Sequence, residues 1–156
     1  MTETIVDALK TITSGNYSLF DRFLNESPKD IWESKFGGWP IWQQFVHTLF
    51  VNVMFLPTAP QKDFLPGVSL EISTLKEMGT TPFSQESAKK SYEEIKRATF
   101  DYLDTLKDAD LTSLGKKMGE TEFSHLKIIT LLNGHLMYHL GIFDAALREK
   151  NLPGII

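Results

Sequence analysis

The sequence predicts an all-α fold and, within that class, a four-helix bundle. Four segments carry apolar residues at the spacing of an amphipathic helix, and clusters of glycine and proline separate them. No pair of alternating apolar and polar runs is joined by a tight turn, so strands are not expected. The 156 residues suit a single domain over positions 1–156. Hydrophobic residues make up 42% of the chain, which is enough to form a core.

The first predicted helix covers about Thr2–Asn25. Ile5, Leu9 and Ile12 share one face of this helix and form the first half of its apolar stripe. Glycine has a low helix propensity, so residues 15–16 are expected to weaken the middle of the helix and to kink it there.

The second predicted helix begins near Trp39, where Pro40 suits the first helical position, and ends at about Phe55, before Pro57. A short helix is expected over residues 68–78. The connection between the second and third helices is long, which favours a topology other than a simple up-down-up-down bundle.

The third predicted helix covers Gln85–Leu106, with Ser84 as its N-cap. Its inward stripe consists of Ile95, Thr99, Tyr102 and Leu106. The fourth predicted helix covers about Glu122–Lys150, and Asn151 and Pro153 end it.

Composition excludes several classes of function. The 20 acidic and 16 basic residues leave a net charge of −4, so no cationic surface for nucleic acid is expected. The chain has no cysteine, which excludes disulfides, thiolate metal sites, iron–sulfur clusters and a cysteine nucleophile. The N-terminal stretch lacks the features of a signal peptide, and no apolar run is long enough to span a bilayer. We therefore expect a cytoplasmic protein that contacts no membrane.

Three of the four histidines form the candidate site. His135 and His139 are four residues apart, so their side chains lie about 40° apart on one face of a helix and about one turn apart along it. Ile128 and Ile142 lie close to that direction, which places both imidazoles within the apolar stripe. His47 has a core-directed position midway along the second helix. A shared metal ion would satisfy imidazoles that lose their hydration in a core, and core histidines with ordinary hydrogen bonds are the alternative.

Two other kinds of metal site are not expected. The HxxxH pair is not a zincin motif, because Leu136 stands where the general-base glutamate would follow the first histidine. A carboxylate-bridged dinuclear site needs two Glu-x-x-His motifs, and the chain has one, which ends at His125. His125 lies near the start of the fourth helix and about 80° from the direction of His135, so it is left out of the site.

The histidine pattern resembles that of the DinB-like (DinB/YfiT) family of small metal-binding four-helix bundles. A histidine in the second helix, His47 in WQQFVH, is combined with His135 and His139 in NGHLMYHLG of the last helix. The tail from Ile142 to Gly154 also looks like the last helix and exit of the family. The resemblance extends over nearly the whole chain in the order and length of the helices.

The resemblance implies a mononuclear divalent metal ion, zinc or nickel, held by His47, His135 and His139. It also implies a small-molecule substrate and a homodimer. Family members with known activity include S-transferases and isomerases that use a low-molecular-weight thiol such as bacillithiol, mycothiol or glutathione. Because this chain has no cysteine, a thiol nucleophile would have to arrive with a cosubstrate.

The expected function is therefore metal-dependent group transfer with an external low-molecular-weight thiol. Three imidazole ligands leave at least one position on the ion open, as in catalytic sites. Two alternatives remain: a metal-dependent hydrolase that uses bound water, and a non-catalytic metal- or small-molecule-binding protein of a stress response. No general base is assigned. Gln43, Tyr92 and Tyr102 could border the site, although each fits an ordinary packing or surface role better.

Overall fold

The computed structural model describes residues 3–59 and 64–156. Helices account for 63% of the structure, which confirms the predicted helical class. The described residues contain six α-helices: α1 (Ile5–Glu26), α2 (Lys29–Glu33), α3 (Ile41–Phe55), α4 (Leu70–Ser73), α5 (Gln85–Asp104) and α6 (His125–Glu149). Both α1 and α3 contact both α5 and α6. None of these helices is long and apolar enough to cross a membrane.

The four long helices α1, α3, α5 and α6 correspond to the four predicted ones. The expected start of the first helix, Thr2, lies outside the described residues, and α1 begins at Ile5. The predicted short helix is α4, which occupies four residues of the long connection between α3 and α5. Residues 60–63 of that connection also lie outside the described part of the chain.

The helix boundaries follow from local capping. Thr4 and Asp7 form a capping box at the start of α1. Ser84 and Ser124 each accept a hydrogen bond from the backbone N–H three residues further on, and so cap α5 and α6. The predicted N-cap of the third helix is thus confirmed. Pro40 departs from the prediction, because it belongs to a short strand and precedes α3 instead of occupying its first position.

Within the described residues, two β-hairpins are the main departure from the predicted all-α fold. The antiparallel pairs are β1 (Lys35–Phe36) with β2 (Trp39–Pro40), and β3 (Leu114–Met118) with β4 (Thr121–Ser124). Each loop has two residues and uses glycine at positive φ, with φ of 61° and 92° at residues 37–38 and 59° at Gly119. The sequence identifies these glycines as turns. The flanking strands have only two to five residues, which is too short for a clear alternating pattern.

The core lies between the four long helices and has an aromatic centre. Phe23 of α1 stacks on Phe143 of α6 with the ring centroids 4.4 Å apart. Phe20 and Phe45 lie 5.6 Å apart and both contact Phe143. All four rings are at most 1% exposed, and full burial of a phenylalanine stabilises a fold by about 1.5–3 kcal/mol. These contacts hold α1, α3 and α6 together at the level of the candidate site, since Phe143 lies one turn after His139.

The first half of α1 does not bury the predicted stripe. Ile5 and Ile12 are 57% and 54% exposed, whereas Val6, Thr13 and Asn16 are buried. The helix is also continuous across the glycine that was expected to weaken it. Two of the buried residues are polar, so hydrogen bonding as well as apolar burial decides which face of α1 points inward.

A polar contact joins α1 to α6 and explains this orientation. The Asn133 amide donates to the Thr13 hydroxyl over 2.9 Å and accepts from the Asn16 amide over 2.7 Å. The Thr13 hydroxyl in turn donates to the Leu9 carbonyl. Buried polar groups are tolerated when they are hydrogen-bonded, so this network sets the face of α1 that meets α6. It also positions the helix of the site, because Asn133 lies two residues before His135.

Removal of the central amide of this network should destabilise the fold. Asn133→Ala takes away the partner of two buried side chains, Thr13 and Asn16, and we expect the free energy of unfolding to fall by about 1–3 kcal/mol. Urea denaturation followed by circular dichroism measures the change. Asn25→Ala, at an exposed position of α1, is the control and should alter stability by no more than about 0.5 kcal/mol. Equal stability of Asn133→Ala and the wild type would show that the network does not hold α1 against α6.

Candidate metal centre

Two helices supply the three histidines of the candidate site. His47 lies midway along α3, and His135 and His139 lie on successive turns of α6. The two helices run antiparallel, since Phe55 at the end of α3 contacts Phe123 just before α6, while His47 contacts the middle of α6. The four-residue spacing on α6 presents both imidazoles to α3. The structure therefore brings all three residues together.

The three imidazoles form one compact cluster. Each ring offers one nitrogen to the cluster, and these three nitrogen atoms all lie within 4.8 Å of one another. The Nε2 atoms of His47 and His135 are 3.3 Å apart. The ring centroid of His139 lies 5.5 Å from that of His47 and 4.6 Å from that of His135. In the described residues, this is the one group of three or more His, Cys, Asp or Glu side chains that could hold a metal ion.

A backbone carbonyl orients His47. The Nδ1 atom of His47 lies 2.8 Å from the carbonyl oxygen of Ser73, the last residue of α4. Since a carbonyl only accepts, Nδ1 carries the proton, and Nε2 presents a lone pair to the cluster. Metal-binding histidines have this arrangement, with one nitrogen for the ion and the other donating to an outer acceptor. Sequence reasoning missed Ser73, because a backbone carbonyl leaves no trace in a pattern of side chains.

The two histidines of α6 have no comparable partner. His139 is 2% exposed, and His135 is half-buried. The Nδ1 atoms of both rings are buried and make no hydrogen bond within the described part of the chain. A buried polar atom without a partner costs about 1–3 kcal/mol. A metal ion shared by the cluster would bind the nitrogen of each ring that faces the other two rings, and so would offset part of the cost of burying these rings.

Burial and mutual proximity keep the cluster uncharged. Burial, with smaller contributions from His135 and His47, lowers the pKa of His139 to about 3. Burial and the neighbouring His47 lower the pKa of His135 to about 4. Burial also lowers the pKa of His47, against the opposing effect of the hydrogen bond to Ser73. Near neutral pH all three rings are therefore neutral, which is the form in which histidine binds metal ions.

The donor set fits a divalent transition-metal ion. Imidazole is a favoured ligand of zinc, nickel, copper and iron. Two nitrogens that bind zinc tetrahedrally at about 2.0–2.1 Å are separated by about 3.3–3.4 Å, and the Nε2 atoms of His47 and His135 are 3.3 Å apart. Three protein ligands also leave a position for another molecule, as in catalytic zinc sites. The three histidines are thus positioned to bind a metal ion.

Two aromatic side chains lie beside His139. The ring centroids of Tyr138 and Phe143 lie 5.1 Å and 6.1 Å from that of His139. Phe143 is fully buried in the core, whereas Tyr138 is 65% exposed. The cluster therefore lies between the aromatic core and the protein surface.

The other candidate residues do not join the cluster. His125 is the first residue of α6, and its Nδ1 lies 2.6 Å from the hydroxyl of Tyr102. The hydroxyl of Tyr92 lies 2.8 Å from both the Asp21 carboxylate and the backbone carbonyl of Tyr17 on α1. The side-chain amide of Gln43 forms hydrogen bonds with the backbone of Ile72 in α4 and of Glu77 and Gly79 after α4. These contacts link helices and loops, as expected for packing residues.

Comparison with known families agrees with this geometry. The family model for the DinB superfamily matches residues 15–143, which include all three histidines. The chain belongs to the DinB superfamily, and the family inferred from the histidine pattern is confirmed. No significant match was found among curated proteins.

The lowered pKa values predict that the metal-free protein loses stability in mild acid. The unfolded chain takes up protons on its histidines below their ordinary pKa of about 6.5, whereas folded His135 and His139 take them up only near pH 4 and 3. Between these limits the unfolded state binds more protons. The contribution of the cluster to stability is therefore complete above the ordinary histidine pKa and is lost as the pH falls toward the folded values.

Urea denaturation of the metal-free protein between about pH 7.5 and pH 5 measures this loss. His139→Leu is the matched variant, because it removes the most deeply buried imidazole of the cluster and keeps the position apolar. Its free energy of unfolding should change less over the same pH range than that of the wild type. The same pH dependence in both proteins would show that the buried imidazoles are not its source.

Proposed function

We propose that this DinB-superfamily protein binds one zinc or nickel ion through His47, His135 and His139 and transfers a group to or from an external low-molecular-weight thiol. The convergence of three neutral imidazoles within 4.8 Å is the observation that carries the metal site. The four long helices would then be the four-helix bundle of the family. The open position of a three-ligand site has room for a thiolate ligand, and a thiol that binds there must be external because the chain has no cysteine.

The chemistry of the proposed site depends on the neutrality of its ligands. A bound zinc or nickel ion supplies Lewis-acid chemistry, which favours the thiolate form of a thiol at the open position. His47, His135 and His139 do not offset the charge of such an ion, because all three are neutral. The Ser73 carbonyl keeps His47 in the tautomer that leaves Nε2 free. The burial of His139 closes the inner side of the cluster to water.

Two other functions use the same three ligands. A hydrolase would use water at the open position, since a metal ion also lowers the pKa of bound water. A non-catalytic protein would use the ion to anchor a small molecule. The single domain over residues 1–156, the homodimer and the cytoplasmic location stay predictions, which rest on composition and on the family.

Metal content tests the proposed site. The purified, untagged protein should contain about one zinc or nickel ion per chain by elemental mass spectrometry. His139→Ala should weaken zinc binding by more than about 100-fold, because even loss of an outer partner of a ligand costs about 10–100-fold. His125→Ala is the matched control outside the cluster and should keep the affinity of the wild type. A wild type that neither contains nor takes up zinc, nickel or manganese would overturn the proposal and favour core histidines.

Cobalt substitution tests the use of a thiol. Glutathione added to the cobalt-loaded protein should produce a sulfur-to-cobalt charge-transfer band in the near ultraviolet, because a thiolate can occupy the open position. S-methylglutathione is the matched control, since it has the same shape but cannot form a thiolate, and it should leave the spectrum unchanged. If glutathione, bacillithiol and mycothiol all leave the spectrum unchanged, thiol use is wrong, and the hydrolase or the non-catalytic function is favoured.

A further inference from the structure

Gln43 is a completely buried polar side chain on α3, one helical turn before the site histidine of that helix. Its Nε2 donates to the Ile72 carbonyl over 3.0 Å and to the Glu77 carbonyl over 2.6 Å. Its Oε1 accepts from the backbone N–H of Gly79 over 2.9 Å. All three partners belong to residues 70–79, which we call the α4 segment. A single side chain thus binds the α4 segment at three points of its backbone.

The α4 segment also supplies the hydrogen-bond acceptor for His47. Ser73 directly follows Ile72, and its carbonyl is the acceptor 2.8 Å from His47 Nδ1. Two successive carbonyls of the segment therefore bind two side chains that lie one turn apart on α3. Hydrogen bonds weaken steeply when the distance or the angle departs from the favoured range. The position of the segment consequently decides whether His47 keeps its partner.

The α4 segment needs an anchor of this kind. The α4 helix has only four residues, and a helix of that length is not stable by itself. Leu75 adopts φ of 56°, in the left-handed region that costs a non-glycine residue free energy and persists only when surrounding contacts hold it. Trp42 adds packing on the same side, since a Cβ at Gly79 would overlap its ring. Neighbouring residues of α3 thus hold the segment by packing and by hydrogen bonds.

We propose that Gln43 is a positioning residue of the metal centre. Its amide holds the α4 segment where the Ser73 carbonyl keeps His47 protonated on Nδ1, which leaves Nε2 free for the ion. The effect on metal binding rests on the proposed function, whereas the effect on the tautomer of His47 belongs to the metal-free protein. Gln43 acts through the backbone of the segment and makes none of its hydrogen bonds to the cluster.

The adjacent Gln44 is a matched control. Its side chain is 2% exposed, and its Nε2 donates to the carbonyls of Phe36 and Trp39 over 2.7 Å and 3.2 Å. It has the same residue type, the same helix and the same kind of backbone contacts as Gln43, but it holds the β1–β2 hairpin. A general loss of buried amide bonds affects both glutamines, whereas only Gln43 of the two binds the segment that positions His47.

The experiment compares Gln43→Met with Gln44→Met, which keep an unbranched side chain of similar length and remove the amide. In the metal-free proteins, long-range nitrogen–proton NMR spectra report the tautomer of His47. The Nδ1–H form should dominate in the wild type and in Gln44→Met and should be lost in Gln43→Met. Zinc affinity, measured by competition with a chelator, should fall by about 10–100-fold in Gln43→Met and stay unchanged in Gln44→Met.

An unchanged tautomer in Gln43→Met, or an equal loss of zinc affinity in both variants, would overturn the proposal. Gly79→Ala displaces the same segment without removing Gln43, because the added methyl meets the Trp42 ring. Gly79→Ala should also cause loss of the Nδ1–H form of His47. If Gln43→Met does not fold, Gly79→Ala tests instead whether the α4 segment positions His47. A wild type without zinc affinity would instead overturn the proposed function, and the tautomer spectra would still decide whether Gln43 positions His47.

Discussion

Three imidazoles that face one another in a largely buried place cannot all be positively charged, and the properties of the site follow from this constraint. Like charges within 4.8 Å would repel one another, and burial penalises each charge further. The cluster is therefore neutral, and His139, the most enclosed ring, has a lower pKa than His135. A neutral cluster presents lone pairs, and a cation stabilises lone pairs that converge. The same burial thus destabilises the protonated cluster and prepares it for a metal ion.

The parts of the site that depend on helix geometry could be predicted from the sequence. The four-residue spacing places His135 and His139 on one face of α6 whatever lies opposite, and the apolar positions around them indicate that this face is inward. His47 was assigned through the resemblance to the family, because its place opposite His135 and His139 depends on the pairing of α3 with α6. Sequence reasoning missed Ser73, which acts through a backbone carbonyl. It named Gln43 only as a residue that could border the site, because Gln43 acts through a segment that begins 27 residues later in the chain.

In the fold, too, features set by neighbouring residues could be predicted, whereas features set by residues distant in the sequence could not. Helix boundaries with a side-chain cap are local, and the start of α5 after Ser84 could be predicted for that reason. The orientation of α1 is not local: Ile5 and Ile12 are apolar but exposed, because Thr13 and Asn16 have their hydrogen-bond partner on α6. The hairpins were missed because two to five residues are too few to show a period of two. Their turns were visible as glycines, whereas the pairing of the strands was not.

X-ray absorption at the zinc edge of the zinc-loaded wild-type protein identifies the ligands of the ion, and so decides whether the histidine cluster is the metal centre. A site formed by His47, His135 and His139 predicts a first shell of nitrogen and oxygen at about 2.0–2.1 Å. The outer-shell scattering should correspond to about three imidazole rings, with no sulfur contribution in the absence of added thiol. A shell of oxygen without imidazole scattering would show that zinc binds elsewhere and would contradict a metal centre at the histidine cluster.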